Sequence, residues 1–106
     1  MDSARILTIE GSHGKSIMSN EKCCYVCGQT QNIHKHHIFG GTGNRMRSEY
    51  FGCWVPLCAY HHNFSNAGVH FNRKLDLRLK QECQERWEEN YGTREEFRTV
   101  FGKSWL

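Results

Sequence analysis

Three histidines in four positions, within the stretch HKHHIFGG from His34 to Gly41, form the densest chemistry in this chain. Imidazole binds divalent metals and exchanges protons near neutral pH, and adjacent histidines are costly to bury for packing alone. A set of softer ligands flanks them: Cys24-x2-Cys27, with Gly28 just after it, and Cys58-x2-His61, thirty residues lying between Cys27 and Cys58. Each pair is spaced so that both side chains of one turn reach the same ion. A closed Cys3His set is a structural zinc site, because it leaves no position open for water. Cys23 is an alternative to Cys24, although the x2 turn favours Cys24; Cys53 and Cys83 read as small apolar residues. With His61 assigned to zinc, a second group remains: His36, His37, His62 and Asn66. If 59–66 is helical, His62 and Asn66 share one face. Zinc at the two knuckles would then draw His62 towards His36, giving an open site of two histidines and an amide suited to a catalytic ion. Strand alternation points His34 away from the face of His37, as a solvent or phosphate contact. His70 is undecided between a helix start and a substrate contact.

These side chains need a scaffold, and the pattern supplies an α+β one. CCYVCG reads as a tight cysteine turn, NIHKHHIF as a strand, GGTGN as a flexible loop and YFGCWVPL (50–57) as a second strand. AYHHNFSN (59–66) suits a short helix that stops near Gly68. Beyond it Leu75, Leu79, Cys83, Trp87 and Tyr91 recur every four residues, with Leu77 beside them. That is an amphipathic helix capped by Asn72 and ended by Gly92. Thr93-x-x-Glu96 is a capping box for a last short helix burying Phe97, Val100 and Phe101 before Gly102. The expected order is hairpin, short helix, long helix, short helix. Two regions follow: an arm or leader over 1–20, with Met18 as an alternative start, and one domain over 21–106 whose C-terminal helices (about 72–102) are support.

At 106 residues with six cysteines the chain forms one domain with a thin core, which a metal would fasten. Disulfides would need an oxidising compartment, but ARILTI is too short for a signal peptide and no apolar run is long enough to span a membrane. Reduced, metal-holding cysteines and a cytoplasmic location are therefore expected. The net charge of +3 says little alone, yet cations at Lys35, Arg45, Arg47, Arg73, Lys74, Arg78 and Lys80 precede a run of glutamates from Glu82 to Glu96. One end can meet phosphates while the other stays in solvent. RILTIEGSHGKS mimics a phosphate loop, but Ile9 stands where that loop needs glycine, so no nucleotide cofactor is expected.

The motifs CYVCG, HHIFGG and LCAYHH, spanning 24 to about 66, resemble those of the HNH endonucleases, and the stretch 24–106 is similar to small HNH-type proteins of bacteriophage genomes. The resemblance implies a ββα-metal site within a zinc-binding treble clef. It gives His36 and His62 as ligands of a catalytic divalent ion and His37 as the base that activates water to cleave DNA into 5′-phosphate and 3′-hydroxyl ends. Histidine ligands admit Mn²⁺, Ni²⁺, Co²⁺ or Zn²⁺ beside Mg²⁺. Lys35, Asn44, Arg45 and Arg47 on the glycine loop are the expected phosphate contacts. The sequence departs from the family at Cys53, where a middle asparagine usually braces the loop carrying the base, and at His61, where cysteine is usual. The alternative is a non-catalytic zinc module that binds nucleic acid or protein.

Overall fold

The computed structural model describes residues 15–64 and 67–106. Two short strands, β1 (Ile33–His37) and β2 (Trp54–Cys58), pair antiparallel in a register that sets His36 opposite Val55 and His37 opposite Trp54. Between them lies a helix, α1 (Asn44–Phe51), and after β2 comes a single π-helical turn, Tyr60–Phe64. Two further helices, α2 (Arg73–Asn90) and α3 (Arg94–Phe101), complete an α+β fold.

The segment between the strands departs from expectation. The glycine and aromatic neighbours of Asn44, Tyr50 and Phe51 predict a loop and a strand, but these residues belong to α1. Aromatics favour strands only where a pleated surface receives them. Here Phe51 instead packs edge-on against Trp87 and Tyr91 of the C-terminal helices. Gly52 ends α1 in the left-handed conformation, φ +73°, and a Cβ there would run into the carbonyl of Lys15. The chain before the first knuckle uses that close approach: Ile17 N–H donates to the Gly52 carbonyl, Ser16 Oγ to the Trp54 carbonyl, and Met18 is buried. Residues 15–19, expected within the loose arm, are thus docked on the hairpin.

Helices α2 and α3 follow their sequence signals closely. Asn72 Oδ1 caps α2 by accepting from Leu75 N–H, and Thr93 and Glu96 exchange both bonds of a capping box. Leu75, Leu79, Cys83 and Trp87 form the buried stripe, while Leu77 is left exposed. Gly92 is needed for space rather than for a left-handed turn, since a Cβ would sit 2.9 Å from Glu96 Oε1 and 3.3 Å from the Trp87 ring. Trp87 itself is fully buried among Phe51, Phe97, Phe101 and Tyr91, which joins the C-terminal helices to α1. Trp87→Ala is expected to cost about 3–5 kcal/mol, read as a lowered denaturation midpoint. A variant that keeps its midpoint would mean that the cluster carries little of the fold.

Candidate functional site

The first knuckle is built by glycine. Gly28, at φ +79°, returns its N–H to the Cys24 carbonyl at 2.9 Å and turns Cys27 back beside Cys24. Tyr25 N–H donates to the Pro56 carbonyl, which docks this turn on β2, the strand that ends at Cys58. The thiols and imidazole that result are close together. Cys27 Sγ is 3.7 Å from Cys58 Sγ, and His61 Nδ1 lies 3.3 Å from Cys58 Sγ and 3.8 Å from Cys24 Sγ. Ligands of a tetrahedral zinc, at about 2.3 Å for sulfur and about 2.0 Å for nitrogen, stand about 3.5–3.8 Å apart. All four ligand atoms lie within 4.8 Å of one another, a grouping that can hold one metal ion. Burial raises the Cys24 pKa, but hydrogen bonds from the backbone of Cys58, Cys27 and Val26 and from the Cys27 side chain outweigh it, so the net shift is downward, towards the thiolate that a metal needs. Cys23 points elsewhere, to Glu21, and Cys53 and Cys83 are fully buried in the core as expected of apolar residues.

A second cluster stands on the face of β1 that carries His34 and His36. His36, His62 and His70 place one nitrogen each within 4.8 Å of one another, and His62 Nε2 is 3.1 Å from His70 Nε2. Two nitrogens bound at about 2.0–2.1 Å to one ion have about that separation. His36 is 7% exposed, and its Nε2 is buried with no hydrogen-bond partner among the described residues. An orphaned imidazole nitrogen is costly unless something ligates it. Burial first, and then the charges of His62, His70, His37 and Lys80, push the His36 pKa down to about 3, which leaves the neutral, ligating form at physiological pH. Burial first, and then the charges of His70 and His34, also lower the His62 pKa.

His70 was the undecided residue, and its recruitment is local. Val69 and His70 donate their N–H groups to the carbonyls of His61 and His62, folding the chain after the π-helical turn back over it. The Gly68 turn in AGVH was the available signal, but it marks a reversal without saying which side chain the reversal brings home. Asn66, proposed as the third ligand, lies outside the described residues. His34 lies on the face opposite His37, as alternation suggests, and is exposed, yet its Nδ1 stands 3.0 Å from His62 Nδ1.

His37 faces the other way. Its Nε2 is 2.8 Å from Glu49 Oε1 on α1, and Lys35 Nζ reaches both oxygens of the same carboxylate at 3.1 Å. A carboxylate only accepts, so Nε2 carries the hydrogen and Nδ1 keeps the basic lone pair. Glu49 is the residue that sequence reasoning missed, because its helix was read as loop and strand. The chain just after His37 is also braced, by Ser48 Oγ, which donates to the Phe39 carbonyl and accepts from Phe39 N–H, and by the Cys53 carbonyl, which accepts from Ile38 N–H.

One cleft of about 310 Å³ gathers His36, His37, His62 and His70 with Lys35 and Arg45. The other two expected phosphate contacts are turned away from it: Asn44 donates to the Phe101 carbonyl and accepts from Arg47. Lys35 is in the cleft but is engaged by Glu49 and stacked over Trp54, so Arg45 is the guanidinium on its wall. Among the described residues no helix is long and apolar enough to cross a membrane. In comparisons with known proteins the chain matches no family model, no curated protein and no solved structure.

Proposed function

We propose that this chain is a metal-dependent DNA endonuclease of the HNH type, with Cys24, Cys27, Cys58 and His61 holding a structural zinc in a treble-clef knuckle and His36, His62 and His70 holding a second divalent ion. One observation carries the reading: a buried, unpartnered His36 nitrogen sits in a three-histidine cluster whose cleft also holds His37, a histidine fixed by a carboxylate. A structural module needs one ligand set; a second, partly open one calls for chemistry.

His37 takes a proton from water through Nδ1, and Glu49 keeps the ring in the tautomer that makes this nitrogen basic. Glu49 also stabilises the imidazolium that forms. His36, His62 and His70 would hold the divalent ion, which would supply Lewis-acid stabilisation of developing negative charge when bound. His34 orients His62 from its far nitrogen, as outer partners of ligating histidines do. Arg45 holds a phosphate of the substrate at the rim. Ser48 and the Cys53 backbone brace the chain behind His37, a task that the family resemblance would give to an asparagine at position 53.

Incubating supercoiled plasmid with the zinc-loaded protein and a panel of Mg²⁺, Mn²⁺, Co²⁺, Ni²⁺ and Zn²⁺ tests the reading. Nicked or linear DNA with at least one ion, lost in His37→Ala, is the expected result. Binding of DNA without cleavage under every ion would favour the non-catalytic zinc module.

A further inference from the structure

Gly40 lines the metal cleft and also a second, smaller cavity of about 160 Å³, so the two open side by side along one surface. Space at Gly40 is open, since a Cβ there would meet nothing within 4 Å. The second cavity is walled by Lys80, Lys103 and Trp105. Both ammonium groups stand over the one indole, Lys80 Nζ at 4.3 Å and Lys103 Nζ at 4.1 Å from the ring centre.

The backbone that carries this indole is held by two glutamines. Gln84, fully buried on α2, accepts from the backbone N–H of Trp105 at 2.7 Å through Oε1 and donates through Nε2 to Ser104 Oγ and Glu88, while Gln81 donates to the backbone carbonyl of Trp105. A buried amide is costly unless its hydrogen bonds are made. Here most of them are made to residues 104 and 105, which fixes the main chain from which the Trp105 ring reaches both lysines. Leucine at 84 would serve a plain core at least as well. The arrangement is accounted for if the position of Trp105, and of the cations on it, matters.

We propose that this cavity is a phosphate subsite, which takes the backbone phosphate of a nucleotide adjacent to the one being cleaved; the proposal rests on the nuclease reading above. The ligand is an anionic oxygen group rather than a base, because the indole is already engaged by two ammonium groups and offers poor stacking. The charge count agrees. Lys80 is offset by Asp76 at 2.8 Å, which uses one of its three donors, whereas Lys103 makes no ion pair among the described residues. One surplus positive charge with several free N–H donors matches one phosphodiester. With Arg45 in the neighbouring cleft, it gives the substrate backbone a second cationic anchor along the same surface.

The test uses the zinc-loaded full chain in a His37→Ala background, so that DNA stays intact. Its affinity for a fluorescently labelled DNA duplex is measured by anisotropy across a salt series. Losing one phosphate contact should reduce the slope of log K against log salt by about 0.9 in magnitude in Lys103→Gln. Lys103→Arg should retain the parental slope. With His37 restored, Lys103→Gln should raise KM for cleavage and leave kcat in place, which a merely structural role would not do. Unchanged melting temperatures establish that both variants fold. An unchanged salt slope and KM in Lys103→Gln, while the protein still cleaves DNA, would overturn the subsite and leave the nuclease reading standing. Failure of the parent chain to bind DNA at all would overturn both.

Discussion

Removing metal from the Cys24, Cys27, Cys58 and His61 cluster is expected to unfold the hairpin and the π-helical turn together. The cluster joins three otherwise separate pieces: the turn before β1, the end of β2 and the turn that carries His62. Structural zinc supplies an apparent ~10–16 kcal/mol of folding free energy in zinc-finger peptides, as much as the entire net stability of an ordinary domain, ~5–15 kcal/mol. Losing it leaves a two-stranded sheet, which is marginal on its own. The loss should spread, because Phe39 just beyond β1 and Phe51 at the end of α1 are the rings against which Phe97, Phe101 and Trp87 pack. Circular dichroism during chelation should therefore show cooperative loss of structure, and elemental analysis of protein purified without chelator should return one tightly held zinc per chain. Cys27→Ser should reproduce the effect, its thiol being one of four ligands. A fold that survives chelation unchanged would show that the cysteines are held by packing alone.

The parts of this architecture that were legible in the sequence are those fixed by short-range chemistry. The x2 spacing of two knuckles, the Asn72 cap, the Thr93 and Glu96 capping box and the four-residue recurrence from Leu75 to Trp87 each depend on residues within about a turn of one another. What was not legible depends on tertiary partners. The helix α1 lacks a side-chain N-cap and follows a glycine-rich stretch, so its local signals favour a loop. Its stability comes from Phe51 against the C-terminal helices and from Ser48 against Phe39. Missing the helix hid Glu49, twelve residues from His37, and with it the carboxylate that orients the ring. His70 was hidden for a similar reason. Two backbone bonds to the preceding turn, rather than any spacing rule, return it to His62. The expected phosphate contacts show the same limit: the sequence offers Lys35, Asn44, Arg45 and Arg47 as one basic set around the glycine loop, whereas the fold uses two of them to fasten α1 and one to hold Glu49.

His37→Ala is expected to lower the cleavage rate by roughly 10²–10⁴-fold, the usual contribution of a general base, while zinc content, second-ion affinity and DNA affinity stay near those of the parent. The ring lies on the face of β1 opposite His36, so its removal takes nothing from the three-histidine cluster. His36→Ala, His62→Ala and His70→Ala should behave differently, because each removes one of three candidate ligands. Titration of the divalent ion by calorimetry should show weaker binding, and activity should recover in part as the ion concentration rises. No amount of metal should rescue His37→Ala, whose defect is proton transfer. Glu49 separates orientation from basicity. In Glu49→Gln the amide oxygen can still accept from His37 Nε2, so the rate should fall less than in Glu49→Ala, where the ring is free to turn and Lys35 loses its partner as well. Parental rates in both variants would remove Glu49 from the mechanism. Metal rescue of His37→Ala with none of His36→Ala would exchange the roles of base and ligand. Indistinguishable cleavage by the parent and every histidine variant would exclude this cleft as the place where the phosphodiester is broken.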